Sequence, residues 1–257
     1  MTVCTNSLYM KKLFKEYSEK TCDNNSRLNS KLSDFGFRGS TSVESAGIGG
    51  CANLVHFDIS DNVYGNHIAQ KFYSAPKPPG LSIPAAEHST MTTWGEVGES
   101  KAVKHILTAY DNEMVSIVSD SYDIWNFVDN ILGGELKEII EKRSVPLIVR
   151  PDSGDPVETL IKVLNKLEQA FGGVTKNDKG YKLLPPYLAV IHGDGVSPES
   201  LPELLSALEN NQWSLDNVTF GSGGALLQKL NRDTQKCAFK CCFATINGEQ
   251  VWLLKLY

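Results

Sequence analysis

No apolar run in this 257-residue chain approaches the roughly 20 residues that a membrane-spanning helix needs, so no membrane partner is expected. The opening stretch, MTVCTNSLYMKKLF, lacks the uninterrupted apolar segment of a secretory leader. A basic excess is missing too. The chain carries 25 Lys and Arg against 30 Asp and Glu, a net charge of −5, which argues against nucleic acid as a partner. A local basic pocket for a small anion remains compatible with that balance. Cysteine is scarce: Cys4, Cys22, Cys51, Cys237, Cys241 and Cys242 fit neither CxxC zinc spacing nor a compact disulfide framework. All six are expected as reduced thiols of a cytoplasmic protein, with no metal held by the chain itself. The adjacent Cys241 and Cys242 are expected on a strand, packed in a core. HExxH, GxxxxGKS and GxSxG are all absent, against zinc-protease, P-loop and serine-hydrolase chemistry.

What is present is a rhythm of apolar runs that stop on acids, an arginine or glycines. MVSIVSD (114–120), VPLIVRPD, LAVIHGD and NVTFGSGG read as four buried strands. Each is followed by a helical pattern. The first, SYDIWNFVDNILGG, is expected to close at Gly133. The second runs from Pro156 with Val157, Leu160, Ile161, Leu164 and Leu167 on one face. The third has Ser197 as N-cap, Pro198 in the first turn and an apolar stripe of Leu201, Leu204, Leu205 and Leu208. The fourth starts near Gly224. Upstream, a helix is expected over about Leu8–Glu19, a small-residue helix from Ser42, and extended or turning chain through the proline-rich residues 74–91.

Repeated strand–helix units mean parallel strands with right-handed crossovers, and apolar strands mean a sheet covered on both faces. Ligands of such sheets bind at the carboxyl ends of the strands. Asp120, Arg150, Asp152, Asp194 and Gly221–Gly224 are therefore expected to converge. Glycines ahead of a helix N-terminus suit a phosphate, and Arg232 two turns on can add a bidentate contact; the same glycines equally suit a plain tight turn. Asp152 and Asp194 suit ribose hydroxyls, or simply cap the helices that follow. Arg150 suits a phosphate or pyrophosphate, or an ion pair with its aspartate neighbours. His88, beside Glu87 in a non-periodic segment, is a catalytic or a structural histidine. Pattern alone reaches an α/β protein that binds a phosphorylated sugar.

DFGFRG, ESAGIGG, PAAEHST, VSDSYD, RPDSGDP, KGYKLLPPYL, GDGV, WSLDN and FGSGGALLQKLNRD occur here in an order and spacing that resemble nicotinamide phosphoribosyltransferases, from about Thr2 to Glu249. The resemblance implies an irregular parallel α/β barrel of the type II phosphoribosyltransferase kind, with part of a smaller mixed domain. On that basis residues 1–40 belong to the smaller domain and linker, 41–233 to the barrel core, and 234–257 to a partial return with a divergent tail. It implies a cytoplasmic homodimer that converts nicotinamide and phosphoribosyl pyrophosphate to nicotinamide mononucleotide and pyrophosphate in NAD salvage.

The same resemblance implies roles for individual residues. Phe35 stacks on the pyridine ring, Asp61 accepts from the amide N–H groups, and Ser116 lies near the amide. Arg38, His88 and Arg150 belong to the pyrophosphate end, and Pro151 is a further substrate-binding position. Asp152, Gly193 and Asp194 contact ribose; Gly223, Gly224 and Arg232 contact the nucleotide phosphate. Mg2+ accompanies the pyrophosphate, and ATP phosphorylates His88, which Glu87 and Asp120 hold and polarise. The chain also reads as an internal part of the family pattern, short of both its ends. A non-catalytic chain that only associates with full-length subunits, and a nicotinate-specific relative, are the alternatives.

Overall fold

The computed structural model describes residues 2–228 and 241–253. In chain order the strands are β1 (Leu32–Asp34), β2 (Ile59–Ser60), β3 (Val115–Val118), β4 (Leu147–Arg150), β5 (Thr175–Lys176), β6 (Lys182–Leu183), β7 (Leu188–His192), β8 (Val218–Ser222), β9 (Phe243–Ile246) and β10 (Glu249–Trp252). The helices are α1 (Thr2–Thr21), α2 (Val43–Asn53), α3 (Val63–Tyr73), α4 (His88–Thr92), α5 (Glu99–Ala109), α6 (Ile124–Asn126), α7 (Lys137–Glu141), α8 (Pro156–Phe171), α9 (Leu201–Asn210) and α10 (Gly224–Leu227). The chain divides into two compact units. One comprises Met1–Ser82, Lys176–Leu183 and His192–Ala238; the other comprises Ile83–Thr175, Leu184–Ile191 and Phe239–Tyr257.

In the first unit β1 lies between β2 and β8 and is parallel to both, with Ser33 opposite Ile59 on one side and Gly221 on the other. β1 and β2 are too short to give a sequence period, and the sequence pattern did not reveal them. β1 forms because β8, covered by α1, offers an apolar edge, and β2 then pairs with β1. Phe14 of α1 meets Phe220 at 5.5 Å and Phe57 edge-on at 6.0 Å. α1 is longer than the expected Leu8–Glu19 by most of two turns at its start.

α2 begins at Ser42, whose hydroxyl accepts from Ser45 N–H in a reciprocal capping box. Its glycines serve close approach to α3. A Cβ on Gly47 would lie 2.3 Å from the Tyr64 ring, and one on Gly65 would lie 2.9 Å from the Gly50 carbonyl carbon. Below the sheet, Lys31 is buried and donates to Leu215 O at 2.7 Å and Val218 O at 3.2 Å. Desolvation pushes its ammonium down to about 8.

In the second unit β4 lies between β3 and β7, all parallel, with Val115 opposite Leu147 and Leu147 opposite Leu188. Residues 84–86 run along the free side of β3. Ser116 N–H donates to Pro84 O at 2.9 Å, and Ala86 N–H donates to Ser116 O at 2.9 Å. α8 starts as expected: Asp155 caps the N–H groups of Val157 and Glu158, and Pro156 needs no donor. Leu160, Val163, Leu164 and Leu167 are fully buried on its inner face, whereas Val157 and Ile161 are only half-buried. Arg143 ties the end of α5 to the approach of β3, donating to Leu107 O, Tyr110 O and Glu113 O.

Two sequence expectations are corrected. Gly133 does not end a helix: Phe127–Glu135 continues in a wider π-helical winding, with Leu136 N–H reaching back to Ile131 O. Its missing side chain admits α8 instead, since a Cβ there would lie 2.6 Å from that of Ala170. Ser197 caps the entry to α9 as expected: its hydroxyl accepts from Glu199 and Ser200 N–H and its carbonyl from Leu201 N–H, with Pro198 in that first turn, and regular helix runs from Leu201. Cys241 and Cys242 are exposed and lie just before β9 rather than in a core. β9 and β10 form an antiparallel hairpin turned by Asn247 and Gly248, both at positive φ, as a tight two-residue turn demands.

The five described cysteines are free thiols, and Cys237 lies outside the described residues. No helix among the described residues is long and apolar enough to cross a membrane.

Candidate active site

In the second unit the expected residues gather at the carboxyl ends of β3 and β4. The strip 84–86, clamped to Ser116, delivers Glu87 and His88 to this end, and His88 becomes the first residue of α4. Ser116 itself is buried within β3. Ser119 N–H bonds Arg150 O at 2.9 Å, so Asp120, the next residue, leaves the sheet level with the end of β4. The imidazole then lies between two carboxylates. Its Nε2 is 2.8 Å from Asp120 Oδ1, and its Nδ1 is 3.9 Å from Asp152 Oδ2. The other Asp120 oxygen accepts a short hydrogen bond from the Ser153 hydroxyl.

Arg150 adds fixed positive charge to this cluster. Its Nη2 is 3.4 Å from Asp152 Oδ2 and its Nη1 is 3.9 Å from Glu87 Oε1. His88, Asp120 and Arg150 are buried at 5%, 6% and 7% exposure, so their mutual attraction is weakly screened by water. Glu87 is half exposed at its side chain and Pro151 is buried. Arg150 pairs with its neighbouring acids, and its planar guanidinium has a geometry that also suits a pyrophosphate.

In the first unit a second group forms where β1 and β8 end. Phe35 N–H donates to Ser222 O at 2.9 Å, and the Phe35 ring lies over Gly221. A Cβ on Gly221 would come within 2.0 Å of ring carbon Cε2, so only glycine leaves that ring its place. The 3-10 turn Phe37–Gly39, which carries the exposed Arg38, rests on the following glycines. Gly39 approaches Gly224 Cα, and Gly36 approaches Gly223 O. Asp61 emerges after β2. Its N–H bonds Asp34 O at 3.1 Å, and its Oδ1 accepts from the Ser82 hydroxyl at 2.6 Å.

Gly193 and Asp194, both half-buried, follow the end of β7, with Gly195 at φ +66 completing the turn. Gly224 opens α10, of which Gly224–Leu227 are helical. Arg232 lies outside the described residues.

The sequence pattern passed over Ser153, Ser82, Asp34 and Asn62. Ser153 lies inside the quoted RPDSGDP motif and Asp34 opens DFGFRG, so both were in view; nothing in a linear motif says which of its letters turn inward. Among the described residues no group of three or more His, Cys, Asp or Glu is arranged to hold a metal ion.

Comparisons with known proteins agree with this architecture. A nicotinamide phosphoribosyltransferase of Xanthomonas campestris pv. campestris is 42% identical over 258 residues, covering 99% of this chain and 54% of that protein. One from Mycoplasma pneumoniae is 35% identical over 93% of this chain and 53% of its own length. The chain thus spans about half the length of the curated relatives it matches. Among solved structures, a putative nicotinate phosphoribosyltransferase from Saccharomyces cerevisiae superimposes with a TM-score of 0.58 at 15% identity, covering 91% of this chain and 50% of that one. The nicotinate phosphoribosyltransferase of Porphyromonas gingivalis gives 0.55 at 17% identity, covering 87% and 51%. The α/β fold, with its parallel strands, is that of the type II phosphoribosyltransferases. The model of one family matches residues 30–255, which include both strand-end groups, and by that match the chain belongs to the nicotinate phosphoribosyltransferase (NAPRTase) family.

Proposed function

We propose that this chain carries the residues for nicotinamide phosphoribosyl transfer: nicotinamide and phosphoribosyl pyrophosphate give nicotinamide mononucleotide and pyrophosphate, a step of NAD salvage. The observation that carries the reading is the His88 imidazole held between Asp120 and Asp152, with Arg150 beside it at the ends of β3 and β4.

As the pyrophosphate departs, C1 of the ribose gains oxocarbenium character and the pyridine nitrogen forms the new bond. Arg150 and Arg38 offset charge on the leaving group, while Asp152 and Asp194, with Gly193, hold ribose hydroxyls. Gly223, Gly224 and Arg232 take the nucleotide phosphate. Phe35 stacks on the pyridine, with Ser116 near the amide. Asp61 accepts from the amide N–H2; the carboxylate of nicotinate would meet like charge there, which favours the amide.

Mg2+ would be ligated by the oxygens of the pyrophosphate it accompanies and would supply charge neutralisation at the leaving group; no group of three or more acids among the described residues is arranged to hold it. In the tautomer that donates Nε2–H to Asp120, the imidazole lone pair lies on Nδ1. That nitrogen would be the one to accept a phosphoryl group if ATP supplied it, with ADP as the leaving group. Glu87 and Asp120 keep the ring oriented. The protein works in the cytoplasm as a homodimer.

The test is incubation of the purified, folded chain with nicotinamide, phosphoribosyl pyrophosphate, Mg2+ and ATP, with mononucleotide measured by chromatography. Formation of the product supports the assignment; none from folded protein favours a chain that only associates with longer subunits. The choice of amide over acid is tested separately. Asp61→Asn should narrow the discrimination against nicotinate, and unchanged discrimination would remove the reason for choosing nicotinamide.

A further inference from the structure

Asp34 is the last residue of β1 and is completely buried. One of its carboxylate oxygens, Oδ1, accepts from Gly36 N–H at 2.7 Å. The other, Oδ2, accepts from Asn62 Nδ2 at 2.9 Å. The second Asn62 amide hydrogen goes to Ala46 O at 2.8 Å, and Asn62 Oδ1 caps α3 by accepting from Gly65 N–H at 3.2 Å. Both amide hydrogens and both carboxylate oxygens are therefore in use. Gly50 leaves space for the pair, since a Cβ there would lie 2.4 Å from Asn62 Nδ2 and 3.0 Å from Asp34 Oδ2.

Gly36 directly follows Phe35, and Asn62 directly follows Asp61. The Asp34 main chain adds a third tie by accepting from Asp61 N–H. We infer that Asp34 and Asn62 are a positioning pair that fixes the aromatic Phe35 and the carboxylate Asp61 relative to one another, and so sets the grip on nicotinamide; this rests on the function proposed above.

The chemistry favours positioning over packing. An apolar residue would fill the space at lower cost, because a buried carboxylate must be desolvated. Burial, with the Asp61 charge nearby, pushes the Asp34 carboxyl up to about 6, while the two donors hold it down. What the carboxylate provides is two acceptors in one plane, each serving a different loop. Asparagine offers one acceptor and one donor, so Asp34→Asn sets an N–H2 against one of two existing donors.

The experiment measures nicotinamide and phosphoribosyl pyrophosphate binding by calorimetry, with thermal melts, on the wild-type chain, Asp34→Asn, Asn62→Ala and the exchange Asp34→Asn with Asn62→Asp. Loss of a hydrogen bond to a charged group predicts about tenfold weaker nicotinamide binding in Asp34→Asn, with phosphoribosyl pyrophosphate binding held within about twofold. The exchange should return part of the lost affinity, because the new amide on β1 would donate to the new carboxylate after β2; the return is only partial, since Ala46 O loses its donor. If Asp34→Asn fails to fold, Asn62→Ala carries the same expectation. Nicotinamide binding equal to wild type, or equal weakening of both ligands, overturns the inference alone. A folded wild-type chain that binds no nicotinamide overturns it together with the proposed function.

Discussion

Replacing Gly221 by alanine adds one methyl group where the Phe35 ring already lies. The new Cβ would fall 2.0 Å from Cε2, 2.4 Å from Cδ2 and 2.6 Å from Cζ, whereas ordinary contact begins at 3.4 Å. Gly221 is not among the positive-φ glycines, so alanine meets no backbone penalty and the whole effect is steric. Ser33 and β1 pair with this stretch of β8, which leaves the strand little freedom to retreat. The ring must therefore move by about 1.4 Å, well beyond the shallow part of a dispersion well. Overpacking of this kind costs about 1–3 kcal/mol of stability. A displaced ring also forfeits stacking worth about 0.5–1.5 kcal/mol, or about two- to twelvefold in affinity. Urea denaturation and the KM for nicotinamide read the two effects separately. An unchanged denaturation midpoint together with an unchanged KM would refute both the placement of Phe35 and its role.

Asp120→Asn removes the charge facing His88 Nε2 and should lower ATP-dependent phosphorylation of the chain about 100-fold; labelling with radioactive ATP checks this, and undiminished labelling counts against Asp120 as the partner of the ring. Glu99 is buried, its Oε1 makes no hydrogen bond among the described residues, and desolvation, with Glu96 and Asp123 nearby, raises its carboxyl to about 7. A raised folded-state pKa means stability that is full below the ordinary value of 4.5 and is lost as pH rises through 7. Glu99→Gln should therefore be more stable than wild type at pH 8, on the order of 2 kcal/mol, and no different at pH 4.5; melting curves at both values decide. Arg143→Met strands three carbonyls that the guanidinium now serves and should cost about 2–4 kcal/mol in denaturant unfolding; a cost below about 0.5 kcal/mol would mean that water replaces the guanidinium without loss.

The four longer parallel strands were legible because each is an apolar run ended by a polar residue or glycine, and α8 because its proline start and apolar stripe agree. β1 and β2 were not. Three and two residues carry no period; β1 is a strand because β8 stands beside it, and β2 because β1 does. The π-helical winding of residues 127–135 left no mark either, since its apolar residues also satisfy an ordinary helix. Around His88, residue types were readable but partnership was not. Asp120 lies 32 positions away, and its hydrogen bond depends on the strip beside β3, whose prolines suggested only extended or turning chain. Asp34 and Asn62 were hidden for a different reason: a buried acid between two loops resembles a turn residue until the loops are folded together.

The short strip beside β3 acts as a ruler. Ser116 grips it on both sides of Ala85, through Pro84 O and Ala86 N–H, and the imidazole stands only two residues beyond Ala86. In extended chain, one inserted or deleted residue shifts everything after it by about 3.3 Å and turns each side chain to the opposite face. No slack exists there to absorb such a change. A change in the spacing between Ala86 and His88 would therefore cost the imidazole its partner Asp120.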